Sequence, residues 1–379
     1  MAATTVLPQD SKPLPFIPHE IIVNILSSLP VKSLLQFRCV SKSWRSLISS
    51  PQFAKTHLEV SCRNKDYANH GLIFISTFSR YCLKTCSLQS IFYEPSVTAI
   101  DLECPMKRRK DGISVVGSCN GLVCIMINNE SIFLWNPSTR ESKKLPDHGL
   151  TLKHGDDITF GCGYDETSDD YRVVGISVDF SNWDLYENDV KVYSSRTDTW
   201  RRIGKFPAGT HVVCWGKFAG GALYWAWGSD MQSRDWTIVS LDLAKETVRK
   251  MAQPNYGNDD AYSMLGVLGE YLCILCQHGN LADVWVMKEY GKSYSWSKIA
   301  TMLSWMYPEL CHQYETPFCI SKDGTLLLSM RTKVGLYNPK DNTVKYPEIR
   351  NSGACFVHKT YIESLVSPIV DRGAERQQQ

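Results

Sequence analysis

The sequence contains clusters of cysteine, histidine and acidic residues that could bind a metal ion or transfer a proton. The best metal candidate is Cys273-x-x-Cys276 followed by His278. Residues 271–276 read as a strand, and residues three apart on a strand point to opposite faces, so the two thiolates would not converge on one ion. Two weaker candidates lack a second ligand pair at usable spacing: Cys82-x3-Cys86 and Cys311-His312. We therefore expect buried core thiols, no metal site and no cofactor.

Paired carboxylates and one basic run are the remaining candidates for chemistry. Asp156-Asp157 and Asp169-Asp170 could act as acid and base, but both lie in turn-rich stretches, where Asp commonly accepts backbone N–H groups. Residues 107–110, Lys-Arg-Arg-Lys, could contact phosphate or direct nuclear import, although a solvated loop is the simpler interpretation. The sequence has no Gly-x-Ser-x-Gly elbow, phosphate-binding Gly loop or His-Glu-x-x-His motif. These observations favour a binding protein over an enzyme.

Composition is typical of a globular protein that is large enough for two domains. The chain has 379 residues, of which 43% are hydrophobic and 21% charged. The 41 basic and 39 acidic residues give a net charge of +2, which argues against nucleic-acid binding through overall basic charge. The 11 Trp, 18 Tyr and 24 Gly favour short strands joined by turns over a helical bundle. Collagenous, coiled-coil and disordered chains are excluded.

The sequence also indicates a cellular compartment. Residues 1–14 lack the basic start and apolar run of a secretory signal peptide. No stretch approaches the roughly 18 uninterrupted apolar residues that a membrane span needs. The 14 cysteines are then expected to be reduced thiols that behave as small buried hydrophobes. We expect a cytoplasmic or nuclear protein without a membrane partner.

Residues 15–58 differ in kind from the rest of the chain. They have helical periodicity and carry a net charge of +4, whereas residues 59–379 carry −2. Ile21, Ile25 and Leu29 lie on one apolar stripe that ends at Pro30, and Ser41 is placed to cap a later helix. Three or four short helices of this size cannot bury all their apolar residues against each other. The remaining apolar surface must be covered either by the second domain or by a partner.

Residues 17–53 resemble an F-box. Three anchors occur in order: Pro18 at the entry, Leu29-Pro30 inside, and Val40-x-Lys42-x-Trp44 toward the end. Ile17 stands where the family usually has Leu. The resemblance implies binding to the Skp-type adaptor of a cullin ubiquitin ligase, with Val40 and Trp44 shared between that contact and internal packing. The residues that the resemblance assigns to the adaptor are Pro18, Ile21, Ile25, Leu26, Leu29, Pro30, Leu34, Leu35, Val40 and Trp44.

A repeated unit begins near Gly71. Each unit places Gly before an apolar strand, then adds two strands joined by a polar turn that often contains Thr. The markers of its phase are Tyr93, Trp135, Tyr193, Leu241, Met287 and Tyr337. Their separations of 42 to 58 residues predict a β-propeller of about six blades, with a plain β-sandwich as the alternative. Asn136-Pro137 and Asn338-Pro339 are turn dipeptides that fit such hairpins.

Residues 70–367 resemble the F-box-associated domain of plant F-box proteins, which is related to kelch repeats. The segments that carry the resemblance are 117–124, 135–140, 161–165, 169–174, 221–225 and 336–339. Only Gly220-Gly221 preserves the Gly doublet of true kelch repeats, so the kelch relation is loose. The pollen self-incompatibility F-box proteins share this architecture, but nothing in the sequence separates that subgroup from its relatives.

Aromatic insertions in the repeat are the candidates for recognising a target protein. The loops of a propeller build a recognition surface, and exposed Trp and Tyr are favoured interface residues. The candidate target-binding residues are Trp183, Tyr186, Trp227, Trp236, Trp305 and Tyr314. The alternative for each is an aromatic side chain inside a blade core. The sequence does not identify the target.

The expected protein is mainly β, with a small all-α N-terminal domain. The predicted organisation is a disordered N-terminus (1–14), an F-box (15–58), a propeller-like domain (59–367) and a disordered tail (368–379). The resemblance implies a non-catalytic substrate-recognition subunit of an SCF-type (Skp adaptor, cullin, F-box) ubiquitin ligase, which holds a target for ubiquitination and proteasomal degradation. One alternative is a ligand-binding or enzymatic propeller with the helices as a cap. Another is an adaptor-binding competitor or scaffold that recruits no target.

Overall fold

The computed structural model describes most of the chain. The described residues are 17–76, 82–105, 112–150, 157–178, 188–206, 211–212, 215–228, 236–257, 262–303, 317–330, 333–353 and 355–369. Residues 1–14, the basic run at 107–110 and most of the predicted tail lie outside them. No helix within the described ranges is both long and apolar enough to cross a membrane.

The N-terminal segment forms four helices. They are α1 (His19–Ser27), α2 (Val31–Phe37), α3 (Lys42–Ile48) and α4 (Pro51–Arg63). Ser41 Oγ accepts a hydrogen bond of 3.1 Å from the Trp44 backbone N–H, which confirms Ser41 as the cap of α3. Ser50 caps α4 in the same way through the Phe53 N–H. Because α4 continues to Arg63, the predicted boundary between residues 58 and 59 falls within this helix.

The far end of the chain completes the core of these helices. The buried residues of this core are Leu26, Val31, Leu34, Ile48, Phe53, Ala54 and Leu365. Leu365 comes from the segment that follows the last strand, and Val366 packs against the same cluster. His57 lies beneath α1, where its Nε2–H donates to the Leu29 carbonyl at 2.9 Å. The helices therefore rely on the second domain for part of their own core.

The rest of the described chain forms six antiparallel sheets arranged as propeller blades, which confirms the predicted architecture. Blade one contains β1 (His70–Ser76), β2 (Cys82–Ser87), the helix α5 (Leu88–Tyr93), β3 (Ser96–Thr98), which lies outside its sheet, and β4 (Ile100–Asp101). Blade two contains β5 (Ile113–Cys119), β6 (Leu122–Ile127), β7 (Ser131–Trp135) and β8 (Ser142–Lys144). Blade three contains β9 (Asp157–Asp165), β10 (Asp170–Val178), β11 (Asn188–Ser194) and β12 (Thr199–Phe206).

The remaining blades follow the same plan. Blade four contains β13 (His211–Val212), β14 (Lys217–Ala219), β15 (Ala222–Gly228), β16 (Trp236–Asp242) and β17 (Val248–Met251). Blade five contains β18 (Tyr262–Leu268), β19 (Tyr271–His278), β20 (Leu281–Met287) and β21 (Trp296–Leu303). Blade six contains β22 (Cys319–Ile320), β23 (Leu326–Met330), β24 (Lys333–Asn338) and β25 (Thr343–Lys345). The chain then forms β26 (Glu348–Arg350) and β27 (Cys355–Ile362).

The last strand of the chain closes the ring. β27 pairs antiparallel with β1, from His70 opposite Ile362 to Ser76 opposite Cys355, and is the inner strand of blade one. β27 also contacts β5 of the next blade. A second link is the parallel pair of β26 with β3. The first blade is therefore built from both ends of the propeller sequence.

Five of the six phase markers lie at equivalent positions. Trp135, Tyr193, Leu241, Met287 and Tyr337 are on the third strand of blades two to six. The sixth marker, Tyr93, is different: it ends the helix α5 and is 51% exposed. The third strand of blade one is β2, which ends six residues earlier, because Ser87 caps an inserted helix through the Ser90 N–H.

Apolar side chains fill each junction between neighbouring blades. On β1, Leu72 packs toward blade six and Ile73 toward blade two, as expected for alternation along a strand. The junction of blades three and four also contains a buried charge. The Arg172 side chain is 12% exposed, and its guanidinium contacts Asp165 at 3.2 Å, Asp170 at 3.3 Å and Glu246 at 2.7 Å.

We expect the free energy of unfolding to decrease as the pH is lowered, because of two histidines at the junction of the helices and blade one. Burial lowers the pKa of His70 to about 4 and also lowers that of His57. Between pH 6.5 and 4 the unfolded chain binds the proton and the folded chain does not, so acidification removes up to about 3 kcal/mol for His70. Urea midpoints of the wild type and of a His57→Gln, His70→Gln variant at pH 7.5 and 5 measure this. Equal pH dependence in both would contradict it.

Candidate functional site

Exposed apolar residues lie on α1 and at the ends of α1 and α2. Ile21 and Ile25 lie one turn apart on α1 and are 47% and 55% exposed. Ile17, just before α1, is 54% exposed, and Val40, just after α2, is 62% exposed. We call Ile17, Ile21, Ile25 and Val40 the apolar helical surface. Exposed groups of this kind are typical of protein–protein contacts.

The other residues predicted to contact an adaptor fall into two groups. Pro18 and Pro30 are exposed, whereas Leu29, Leu35 and Trp44 are partly buried at the edge of the helical core. Trp44 packs edge-on against Phe37, with ring centroids 5.5 Å apart. Its ring thus combines internal packing with partial exposure, as expected for a residue shared between core and surface.

Leu26 and Leu34 differ from the sequence expectation. Their side chains are 1% and 0% exposed, and both belong to the helical core. The sequence pattern does not separate them from Ile25, because α1 is apolar on two sides. The structure assigns one side to the core and leaves the other to solvent. Ile17, which the sequence analysis treated only as a departure from the family pattern, joins the exposed side.

The helices lie on one face of the propeller, which we call the helical face. Turns between the first and second strands of three blades reach the N-terminal segment or the residues that follow β27. Lys55 of α4 pairs with Asp169 in blade three, and Asp66 after α4 pairs with Lys322 in blade six. Gly121 of blade two lies against Ser364. In an antiparallel blade, the turns between the second and third strands, and the connections to the next blade, lie at the opposite face.

The residues predicted to bind a target lie, in the sequence, at or after the ends of β10, β15 and β21, and these strand ends are at this opposite face. Trp183 and Tyr186 fall between β10 and β11, and Trp305 and Tyr314 fall between β21 and β22; all four are outside the described residues. Trp227 and Trp236 are described, near the ends of β15 and β16, and are only 3% and 8% exposed. Trp227 packs on Phe206, and the Trp236 Nε1–H donates to Ser263 Oγ. These two indoles match the alternative of blade-core aromatics.

The cysteine pair that suggested a metal site lies on a strand, as predicted. Cys273 and Cys276 are both fully buried on β19. Cys273 packs in the junction with blade six, whereas Cys276 points to the other side of the strand, opposite Asp283. Burial and the Asp283 carboxylate raise the pKa of the Cys276 thiol to about 12, so this side chain is a neutral thiol at pH 7.

The acidic pair Asp169-Asp170 has structural partners. Asp170 is buried, and its carboxylate accepts hydrogen bonds from Ser195 Oγ at 2.9 Å and the Arg196 N–H at 3.0 Å. Asp169 is hydrogen-bonded to Lys55 and to the Tyr164 hydroxyl. Of the other acidic pair, Asp157 begins β9 and Asp156 lies outside the described residues. The partners of Asp169 and Asp170 hold a turn and an interdomain contact, without a free carboxylate for acid–base chemistry.

Two family descriptions match the chain. The "F-box associated beta propeller domain" matches residues 72–368, and the "F-box domain" matches residues 14–56. Similar curated proteins are from Arabidopsis thaliana. An F-box/kelch-repeat protein is 36% identical over 365 residues, covering 93% of this chain and 96% of the relative. The F-box protein CPR1 is 30% identical over 385 residues, covering 92% and 88%.

Solved structures show a more distant likeness. An oligogalacturonate lyase in complex with manganese has a TM-score of 0.44 and 10% identity, covering 76% of this chain and 75% of its own. A putative 6-phosphogluconolactonase from Bacteroides uniformis has a TM-score of 0.38 and 10% identity, covering 77% and 98%.

Proposed function

The chain belongs to the family of F-box proteins with an F-box associated beta propeller domain, and we propose that it is the substrate-recognition subunit of an SCF-type ubiquitin ligase. Its N-terminal helices bind a Skp-type adaptor and, through it, a cullin. Its propeller binds a target protein, which is then ubiquitinated and degraded by the proteasome. The subunit itself makes and breaks no bonds; it raises the local concentration of target lysines near the conjugating enzyme.

The observation that carries the proposal is the apolar helical surface on a domain whose core is already complete. Ile21 and Ile25 are half exposed although Leu26 and Leu34 are fully buried beside them. Completing the burial of a half-exposed Ile in a contact contributes roughly 1 kcal/mol, so Ile21 and Ile25 supply part of the binding free energy and other contact residues supply the rest. Pro18, Leu29, Pro30, Leu35 and Trp44 complete this contact in the proposal.

The position of the helices supports a target site on the opposite face of the propeller. The helical face is occupied by α4 and by the residues after β27, which contact blades two, three and six. β10 and β21 end at the other face, and in the sequence the candidate residues Trp183 and Tyr186 follow β10, whereas Trp305 and Tyr314 follow β21. A target bound there does not compete with the adaptor for space. We propose that the protein acts in the cytoplasm or nucleus, where the other ligase subunits are found.

Two experiments test the proposal with the full chain. Isothermal titration with a purified Skp-type adaptor is expected to give one-to-one binding, and absence of binding would contradict the adaptor role. Proteins captured by proximity labelling with the proteasome blocked are then added to the reconstituted ligase. Their ubiquitination is expected to require this chain. Capture without chain-dependent ubiquitination would instead favour the competitor or scaffold alternative.

A further inference from the structure

Residues 363–368 connect the propeller to the helical core, and we call them the strap. They follow β27 directly. The Glu363 backbone N–H donates to the Asn69 carbonyl at 2.8 Å, just before β1. Ser364 is 0% exposed, and Leu365 is 7% exposed within the core of α1–α4. One side of the strap therefore faces the helices and the other faces blade two.

Asn136 of blade two holds the strap through its side-chain amide. Its Nδ2 donates to the Ser364 carbonyl at 3.0 Å and the Val366 carbonyl at 2.7 Å, and lies 3.2 Å from Ser364 Oγ. Its Oδ1 accepts the Ser138 N–H at 2.8 Å and the Thr139 N–H at 3.3 Å within its own turn. The amide is 0% exposed. One side chain thus shapes a turn and binds the strap.

The related dipeptide Asn338-Pro339 has only the first of these two roles. The Asn338 Oδ1 accepts the Lys340 N–H at 3.0 Å, and its Nδ2 donates to Asp341 at 3.1 Å, all within an exposed turn. The difference between Asn136 and Asn338 therefore comes from the strap. This makes Asn338 a matched reference for the function of Asn136.

Gly121 leaves the space into which Ser364 packs. A Cβ at this position would overlap the Ser364 Oγ and Cβ atoms, and the backbone φ is +80°. Gly221 occupies the equivalent turn of blade four with φ +77°, and no atom lies within 4 Å of its Cβ position. A substitution at either glycine strains the backbone equally. Only a substitution at Gly121 also displaces the strap.

We infer that the strap is a positioning element that fixes the orientation of the adaptor-binding helices on the propeller. It completes the helical core with Leu365 while Asn136 and Gly121 hold its other side. The ion pair of Lys55 with Asp169 is half exposed on both sides and contributes little by itself. The inference rests on the proposed function, because ubiquitin transfer depends on a defined distance between adaptor and target.

Paired glycine variants test the strap in the full chain. In Gly121→Ala, amide hydrogens of α1–α4 are expected to exchange roughly tenfold faster than in Gly221→Ala, while blades four and five exchange alike in both. Labels at the exposed residues Lys32 and Lys250 report orientation, since their distance distribution is expected to broaden only in Gly121→Ala. Adding Ser364→Gly removes the overlapping atoms and is expected to narrow the distribution again.

A second pair of variants removes the hydrogen bonds without a steric change. Asn136→Asp keeps the turn acceptor but places a carboxylate oxygen against the Ser364 and Val366 carbonyls, so it is expected to reproduce Gly121→Ala. Asn338→Asp is expected to leave the helices unchanged. A chain ending at Ile362 should resemble Asn136→Asp, and one ending at Ile369 the wild type.

Equal exchange in the two glycine variants, or an unchanged distance distribution in both Gly121→Ala and Asn136→Asp, would overturn the inference. Should Gly121→Ala fail to fold, two other comparisons test the strap: Asn136→Asp against Asn338→Asp, and the chain ending at Ile362 against the chain ending at Ile369. All measurements use the free chain. Failure of an adaptor to bind would therefore contradict the proposed function alone. The exchange and distance measurements would still test the role of the strap.

Discussion

A double variant, Ile21→Asp with Ile25→Asp, is expected to abolish adaptor binding while leaving the protein folded. Both side chains are about half exposed, so the change removes little buried area from the free chain. In a complex, two carboxylates would replace two buried apolar groups, and binding should weaken by more than about 100-fold. Titration calorimetry with a Skp-type adaptor measures the loss, and a thermal melt checks the fold.

Two controls separate the contact from general effects on α1. Asn24→Asp adds a charge at an exposed polar position of the same helix and is expected to leave binding within about threefold of wild type. Leu34→Ala removes a fully buried side chain and should instead lower the free energy of unfolding by about 2–5 kcal/mol. Wild-type affinity in the double variant would refute the apolar helical surface as the adaptor contact.

Replacing Arg172 by methionine is expected to lower the free energy of unfolding by about 3–5 kcal/mol. The guanidinium is the shared partner of Asp165, Asp170 and Glu246 at the junction of blades three and four. Burial acts to raise the pKa of Asp165, but hydrogen bonds from Ser168 and Thr167 together with Arg172 hold it below its ordinary value. Without Arg172, the buried Asp165 and Asp170 lose their cation, whereas Glu246 keeps its ion pair with Arg201.

Lys55→Met provides the comparison for Arg172→Met. It removes a cation from the exposed ion pair with Asp169, which should cost less than about 1 kcal/mol. Urea unfolding at pH 7 measures both variants. A similar loss of unfolding free energy in the two variants would mean that burial does not increase the contribution of an ion pair to stability here.

The propeller could be predicted because each blade has a similar local sequence pattern, which recurs along the chain. Third-strand markers such as Trp135 and Tyr337 recur with the period of a blade, and each sits in an apolar junction that every blade must fill. Tyr93 gave a false marker because α5 is inserted only in blade one. The pairing of β27 with β1 joins residues from opposite ends of the domain, and no local pattern records such a contact.

The candidate site was predictable only in part. Apolar periodicity located α1, but it could not tell that Leu26 faces inward and Ile25 outward, because the packing of α2–α4 and the strap decides which side is covered. Asn136 was visible only as a turn residue. Its second role depends on Ser364 and Val366, whose carbonyls reach it through tertiary structure.

The closing strand also has a consequence during synthesis on the ribosome. The N-terminal helices emerge before the propeller, yet Leu365, which completes their core, is translated only after all six blades. Until β27 and the strap have left the exit tunnel, a nascent chain has neither a closed ring nor finished helices. Chains that terminate before Leu365 therefore lack part of the packing that holds α1–α4 together.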